Sequence, residues 1–197
     1  MTDKAKYTNG EAIRRFYPQY WGFERYPADR CACIRKVRDQ WGMLCNFADA
    51  PLEFQGVRFR NSEHLFQVMK FADPIAIQAV YASPHYKKTA KKNEFKPMRR
   101  EDWGKIFIDV MRFCLQLKYE QSEAFRKVLA ETGNLFIVED QTTFPRTKPD
   151  SWGVKPDGEE YYGPNVLGRL LMELRDTGHL DYNLPEDAFD FLKHLTN

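Results

Sequence analysis

The 197-residue sequence has no apolar run that approaches the roughly 18 residues a membrane-spanning helix needs. No apolar stretch follows its charged first residues, so we expect no secretory signal. It has only four cysteines, and its 30 basic residues nearly balance its 28 acidic ones, which leaves a formal net charge of +2. These shortages exclude a membrane protein and a secreted disulfide scaffold, and they remove any overall charge bias towards nucleic acid. We therefore expect a cytoplasmic protein with free thiols and no membrane partner.

Signatures of the common nucleotide-binding and hydrolase folds are also missing. The sequence has no Walker A loop, no G-x-G-x-x-G after a predicted strand and no G-x-S-x-G elbow, so these three classes lack support. Cys31, Cys33 and Cys45 resemble part of a zinc site, but no second C-x-x-C or paired histidine would complete four ligands. We predict neither a metal nor a cofactor.

The composition that is present supports one well-packed core. Hydrophobic residues make up 43% of the chain and aromatic residues 15%, which excludes general disorder. The length suggests one domain. We predict an N-terminal extension (residues 1–30) packed on a domain at residues 31–178, and a C-terminal helix within residues 179–197. The apolar periodicity predicts an α+β protein, predominantly helical, with a small β-sheet.

Individual elements follow from periodicity, caps and turn residues. Predicted strands lie at residues 33–37, 51–54, 57–59 and 135–138, with Gln55-Gly56 as a hairpin turn. Predicted helices lie at residues 11–17, 63–71, 73–83, 84 onward, 101–119, 122–132, 164–178 and 185 onward. Residues 140–163 show no periodicity, and we expect this stretch to be irregular and either functional or mobile.

The predicted helix from Glu63 carries one polar stripe on an otherwise apolar surface. Glu63, Gln67 and Lys70 stand at i, i+4 and i+7 and would share one face. One interpretation is a capping glutamate followed by a solvent-facing amide and amine. The other is a cleft in which an ionised carboxylate acts as a base or stabilises an oxocarbenium ion, and in which a desolvated lysine becomes nucleophilic. His64 points to another face, and we expect it to be structural.

Two further features each admit a structural and a functional interpretation. Asp150 either forms an Asx-turn or acts as a second carboxylate beside Glu63, with Trp152 as a stacking platform for a planar base. Seven cations lie between residues 87 and 100. Such a run is usually a solvated face, and it could also hold phosphates.

Several motifs, taken in order, resemble the signature G-x-x-S-N-F … E-H-x-x-Q-x-x-K-F of the YbiA-like (NADAR) family. The first two are residues 42–47 (GMLCNF) and 59–71 (FRNSEHLFQVMKF). Residues 100–103 (REDW), 150–153 (DSWG) and 165–168 (NVLG) follow. The ordered set spans about residues 33–176 and is specific, although each piece alone is not.

The resemblance implies a compact, mainly helical, YbiA-like single domain that cleaves N-glycosidic bonds. Glu63 would be the principal catalytic carboxylate, Lys70 a cleft cation or covalent partner for the ribose C1, and Asp150 and Trp152 would close the site. The residues that would shape or line the site are Asn46, Phe47, Gln67, Arg100, Trp103, Gly153 and Asn165.

The substrates implied by the resemblance are phosphorylated ribosyl compounds. They include a ribosylamino-pyrimidine phosphate of the early riboflavin pathway and ADP-ribose attached to a guanine base, free or in nucleic acid. The alternative hypothesis is a domain that binds ADP-ribose or a related nucleotide without catalysis. A third hypothesis is a nucleic-acid-binding protein that acts through the basic segment. The sequence indicates neither the aglycone nor the oligomeric state.

Overall fold

The structure, a computed structural model, describes residues 7–195. The expectation of no secretory signal falls on residues 1–6, and so does the start of the predicted N-terminal extension; these residues lie outside the described ones. In chain order the α-helices and strands are α1 (Asn9–Phe16), β1 (Glu24–Pro27), β2 (Cys31–Ile34), β3 (Leu52–Phe54), β4 (Val57–Phe59), α2 (Ser62–Val68), α3 (Pro74–Ala82), α4 (Tyr86–Thr89), α5 (Trp103–Gln121), α6 (Glu123–Glu131), β5 (Phe136–Glu139), β6 (Lys155–Asp157), β7 (Glu160–Gly163) and α7 (Val166–Thr177). Helices with small sheets confirm the predicted class.

The described chain divides into two compact units. The first, which we call the helical unit, consists of residues 7–8, 49–121 and 181–195. Its hairpin pairs β3 with β4, and the turn residues Gln55 and Gly56 both have positive φ, at 48° and 79°, as a type I′ turn requires. Helix α2 packs on α3, α4 and α5. The predicted hairpin is therefore confirmed, and α2 lies at the centre of this unit.

The second, which we call the sheet unit, consists of residues 9–48 and 122–180. It holds a three-stranded antiparallel sheet in the order β1-β7-β6 and a parallel pair, β2 with β5. Helix α7 packs on β5. Gly168 permits this approach, because a Cβ there would lie 2.0 Å from the carbonyl oxygen of Ile137. The sheets are small, as the apolar periodicity predicts.

The predicted strand at residues 33–37 is wrong by two to three residues. Strand β2 ends at Ile34 because its parallel partner β5 ends at Glu139, the residue opposite. The next residue, Arg35, uses its guanidinium to bind Asp140, with Nε 2.8 Å from Oδ2. Beyond Ile34 and Glu139, the two chain segments are therefore joined by this ion pair rather than by further strand pairing.

The stretch at residues 140–163 is irregular only in its first part. Residues 155–163 form the β6–β7 hairpin, whose turn contains Gly158 at φ 63°. Strand β7 then pairs with β1, at residues where no element is predicted. These strands have only three or four residues, too few for a visible alternation of apolar and polar positions.

Two predicted helices adopt tighter or shorter forms. The segment from residue 84 contains a single α-turn, α4, and then a 3₁₀ helix at Asn93–Met98 that includes Pro97. The final helix is a 3₁₀ helix at Glu186–His194. The carbonyl oxygen of Asp187, in this final helix, accepts a hydrogen bond from Arg100 Nη1 at 3.0 Å. Within residues 7–195, no helix has the length and hydropathy to cross a membrane.

Candidate functional site

Helix α2 begins at a cap that also fixes its neighbour α4. The side chain of Asn61 accepts a hydrogen bond from the His64 backbone N–H at 3.0 Å, and the same oxygen accepts one from the Tyr86 hydroxyl at 2.9 Å. Such a cap satisfies a backbone donor that the first turn leaves open. Every residue from Ser62 to Val68 is buried. The interpretation in which Gln67 faces solvent is therefore wrong.

The carboxylate of Glu63 is buried and held through one of its two oxygens. Gln67 Nε2 donates to Oε1 at 3.0 Å, and the ammonium of Lys87 lies 3.1 Å from the same oxygen. The Glu63 side chain is 7% exposed, against 43% for Lys87. Among the residues that the structure describes, none donates a hydrogen bond to Oε2. The predicted pair of Glu63 and Gln67 is thus formed, with a cation that the sequence analysis did not single out.

Lys70 does not lie on helix α2. The helix ends at Val68, and Lys70 follows in the next turn, half-buried. Its carbonyl oxygen accepts a hydrogen bond from the Arg100 backbone N–H at 3.1 Å, which ties the end of the helix to the chain before α5. The prediction that Lys70 extends the polar stripe of the helix was wrong in this respect, because the helix stops one turn early.

Two buried polar atoms of α2 have no hydrogen-bond partner within residues 7–195. They are the hydroxyl of Ser62 and the side-chain oxygen of Gln67. Buried polar atoms are nearly always satisfied in folded proteins, so an exception requires an explanation. Both atoms belong to the helix that carries Glu63, and Gln67 is already its direct partner. The exceptions are consistent with partners supplied by a ligand or by water.

Two titratable groups near Glu63 are uncharged at neutral pH. Burial lowers the pKa of His64 to about 4, and the nearby Arg60 adds to this effect. Burial, with a smaller contribution from the charge of Glu63, raises the pKa of the Cys114 thiol well above its usual range. The expectation that His64 is structural is supported by its contacts: Nδ1 accepts from the Arg60 backbone N–H and Nε2 lies 3.1 Å from the Tyr81 carbonyl oxygen.

Arg100 and Trp103 occupy structural environments in the helical unit. The Arg100 guanidinium binds Asp102 at 2.9 Å and Asp187 at 2.8 Å. Trp103 is buried against Phe66, with ring centroids 5.1 Å apart in an edge-to-face arrangement. Burial tends to lower the Arg100 pKa, but the hydrogen bonds and charges of the two aspartates outweigh it and raise the pKa. Both residues are fixed in place, and their predicted part in shaping a site stays a prediction.

In the sheet unit, Asp150 forms the Asx-turn that the sequence allows. Its Oδ1 accepts from the Trp152 backbone N–H at 2.9 Å and from Gln141 Nε2 at 2.5 Å. Gln141 in turn accepts from the Asp150 backbone N–H at 2.9 Å and donates to Glu139 at 3.2 Å. The structure thus brings Asp150 and Trp152 together on a loop that Gln141, a residue without any sequence signal, holds in place.

The loop at residues 150–153 also caps helix α7. The backbone N–H groups of Asn165, Val166 and Leu167 donate to carbonyl oxygens of this loop at 3.1–3.2 Å. Asn165 has φ 51°, and its side chain binds two backbone groups of strand β5: Nδ2 donates to Ile137 O at 2.9 Å, and Oδ1 accepts from Glu139 N at 3.1 Å. Asn165 therefore positions the loop and the strand relative to each other.

The remaining predicted site residues of the sheet unit differ in exposure. Gly153 is buried, and a Cβ there would lie 2.3 Å from the carbonyl oxygen of Glu139. Asn46 is buried, Trp152 is half-buried, and Phe47 is exposed. No cluster of three or more His, Cys, Asp or Glu side chains able to hold a metal occurs in the described part of the chain.

Comparisons with known proteins agree with one another. The family model of the NADAR domain matches residues 33–177. The chain is 36% identical over 141 residues to the N-glycosidase YbiA of Shigella flexneri serotype 5b (strain 8401), a match covering 70% of this chain and 82% of that protein. It is 31% identical over 146 residues to a riboflavin biosynthesis protein of Vibrio vulnificus, covering 73% of this chain and 38% of that protein.

Among solved structures, the NMR structure of the E. coli protein YbiA is similar to this one. The TM-score is 0.61 at 30% sequence identity, and the match covers 75% of this chain and 84% of that chain. The YbiA-like fold that the motifs imply is therefore confirmed.

Proposed function

The chain belongs to the NADAR domain family, and we propose that it is an N-glycoside hydrolase that acts on a phosphorylated ribosyl compound, with Glu63 as its key carboxylate. Its relative in Shigella flexneri is named an N-glycosidase, which supports a glycosidase enzyme here. We assign the activity to residues 31–178, which the family match nearly fills. The four free cysteines favour a reducing compartment, and we expect the cytoplasm.

The environment of Glu63 is the observation that carries this proposal. Cleavage of an N-glycosidic bond passes through a ribosyl cation of oxocarbenium character. A fixed carboxylate in a site of low water content stabilises such a cation more than one in bulk water. Glu63 is buried in the first turn of α2 and fixed by Gln67 and Lys87. It can therefore stabilise the cation or deprotonate the attacking water.

Gln67 is suited to orient the sugar beside this carboxylate. Its amide nitrogen binds Glu63, while its side-chain oxygen is buried without a partner in the described chain. A ribose hydroxyl is a donor that would satisfy this oxygen. One planar amide would then fix the distance between the sugar and the carboxylate, as catalysis by positioning requires.

For Lys70 and the loop at Asp150 we propose the roles that the family resemblance implies. Lys70 lies two residues beyond the end of α2 and would hold a ribose oxygen or form an imine with the opened sugar. Asp150 holds the backbone of Trp152, and this restraint supports Trp152 as a stacking surface for a planar base. Asn46, Phe47, Gly153 and Asn165 would line or position the substrate-binding part of the sheet unit.

Two substrate classes fit the proposal. The riboflavin biosynthesis relative in Vibrio vulnificus supports a ribosylamino-pyrimidine phosphate. ADP-ribose on a guanine base, free or in nucleic acid, shares the same phosphorylated ribose and the same planar aglycone. Both present a ribosyl C1–N bond to one carboxylate, so they are tested together.

The test compares wild-type protein with the Glu63→Gln variant on a panel of ADP-ribosyl-guanosine, NAD and a ribosylamino-pyrimidine phosphate. Released base is measured by mass spectrometry. Removing an aligned catalytic carboxylate costs on the order of 10²–10⁴-fold in rate, so we expect near-complete loss of base release. Glu123→Gln is the matched control, because Glu123 also lies in the first turn of a capped helix, α6, but is exposed.

Wild-type turnover by Glu63→Gln would overturn the role of Glu63. Thermal stabilisation of the wild-type protein by a panel compound, without any released base, would instead favour the non-catalytic nucleotide-binding alternative. DNA or RNA binding that weakens steeply with salt, in the absence of base release, would favour the nucleic-acid hypothesis.

A further inference from the structure

We propose that Lys87 is a positioning residue for the proposed hydrolase, which holds the Glu63 carboxylate by Oε1 so that Oε2 is the oxygen presented to the substrate. This inference deepens the proposed function and rests on it. It concerns the helical unit only. Its starting point is the 3.1 Å contact between Lys87 Nζ and Glu63 Oε1.

The placement of Lys87 follows from the residue before it. Tyr86 is buried, its hydroxyl donates to Asn61 Oδ1 at 2.9 Å, and its ring lies 4.7 Å from the ring of His64. Asn61 is the cap of α2, and His64 is the neighbour of Glu63 in sequence. The single turn of α4 is therefore fastened to the same helix end that carries Glu63, and Lys87 is held within reach of the carboxylate.

The electrostatic requirement for a cation at this position is strong. A buried carboxylate without a compensating charge is costly, and removing one member of a buried pair is strongly destabilising for the other. Glu63 has no other ion-pair partner in residues 7–195. The neighbouring groups on α2 and α5, His64 and Cys114, are neutral near pH 7. Lys87, in direct contact with the carboxylate, therefore supplies a balancing charge.

The geometry of the pair determines which oxygen can act. Lys87 and Gln67 both approach Oε1, at 3.1 and 3.0 Å. Two donors on one oxygen restrain rotation of the carboxylate and leave Oε2 as the oxygen with an open lone pair. The Lys87 side chain is half-exposed, so it acts at the edge of the site rather than in its interior.

Three variants test this role: Lys87→Met, Lys87→Arg and, as a matched loss of one charge elsewhere, Lys127→Met. Lys127 is exposed on α6 in the sheet unit. We expect Lys87→Met to lower kcat by about 10–100-fold, the scale of a misplaced catalytic group, while KM stays within about twofold. Lys87→Arg should recover most of the loss, because it restores a cation with donors. Lys127→Met should match the wild type.

Other kinetic outcomes would contradict the proposal. A raised KM with unchanged kcat would show that Lys87 binds the substrate directly. Equal kinetics for Lys87→Met and Lys127→Met would show that it has no role. Glu63→Gln, measured in parallel, separates this inference from the proposed function: if Glu63→Gln is inactive and Lys87→Met is not impaired, only the role of Lys87 fails.

A structural measurement does not depend on turnover. In a crystal structure of Lys87→Met we expect the Glu63 carboxylate to leave Gln67 and turn towards water, since it has lost its balancing charge. In the Lys127→Met structure it should stay within hydrogen-bond distance of Gln67. A Glu63–Gln67 bond that is unchanged in Lys87→Met would overturn the proposal even if no compound of the panel were cleaved.

Discussion

Acid destabilisation through His64 is the most direct quantitative consequence of the structure. His64 is 2% exposed, and its ring is stacked on Tyr81 with ring centroids 5.4 Å apart. Nδ1 accepts from the Arg60 backbone N–H at 3.2 Å, and Nε2 donates to the Tyr81 carbonyl oxygen at 3.1 Å. A proton on Nδ1 would break the first of these bonds. The fold therefore accommodates the neutral ring and penalises the imidazolium.

The sign and size of the effect follow from linkage. Burial and Arg60 lower the pKa of His64 to about 4 in the folded state, against an ordinary value of 6.5. Between these values the unfolded state binds more protons, so the free energy of unfolding rises with pH and is fully restored above 6.5. Protonation of the unfolded chain removes about 2 kcal/mol between pH 7 and pH 5, and about 3 kcal/mol by pH 4.

Urea denaturation at several pH values between 4.5 and 7.5 measures this loss. His64→Gln should flatten the pH dependence by about 2.5 kcal/mol over that range, whatever its effect on stability at pH 7. His85→Gln is the control, because His85 is exposed, and it should keep the wild-type slope. An equal slope in wild type and His64→Gln would refute the argument that His64 is held neutral.

Further predictions concern other parts of the chain. Asp140→Asn should destabilise the fold by about 2 kcal/mol at pH 7 through its lost charge-assisted bonds. Burial tends to raise the Asp140 pKa, but its hydrogen bonds lower the pKa overall. The denaturation midpoint of the variant should therefore approach that of the wild type as pH falls below 3.8. Gly168→Ala should lower the free energy of unfolding by about 3 kcal/mol or more, because the added Cβ would meet backbone atoms. Gly22→Ala should change it by no more than about 0.5 kcal/mol, because a Cβ there would meet nothing within 4 Å. If Lys70 forms an imine, borohydride should trap a sugar adduct in the wild type that is absent in Lys70→Arg; a trapped adduct in that variant would exclude Lys70.

Elements defined by local signals were predictable from the sequence. Ser122 accepts from the Phe125 backbone N–H at 3.2 Å and Asp73 from the Ile75 N–H at 2.9 Å, as their positions at predicted helix starts require. Gln55-Gly56 makes the predicted turn. In each case the residues that specify the structure lie within four positions of one another, so the sequence contains the whole interaction.

Elements that depend on distant partners were predicted less well. Strand β2 takes its bounds from β5, about a hundred residues later, through the register that pairs Cys31 with Phe136. Strand β1 exists because β7 pairs with it. Neither strand has a pattern of its own long enough to show period two. Their boundaries are therefore properties of the pairing, which a local pattern does not contain.

The basic segment shows why the candidate site was only partly predictable. Its cations look alike in sequence, yet the structure gives two of them different partners. Lys87 balances the buried Glu63, while Arg100 binds Asp102 and Asp187. Glu63 was identifiable because a carboxylate in an apolar helix is unusual. The cation that pairs with Glu63 was not identifiable, because the one-turn helix that carries Lys87 is held in place by the bond between Tyr86 and Asn61, a contact across 25 residues. The carboxylate that we propose as catalytic can thus be singled out by the apolar residues around it, whereas the residue that we propose to position it requires the tertiary fold.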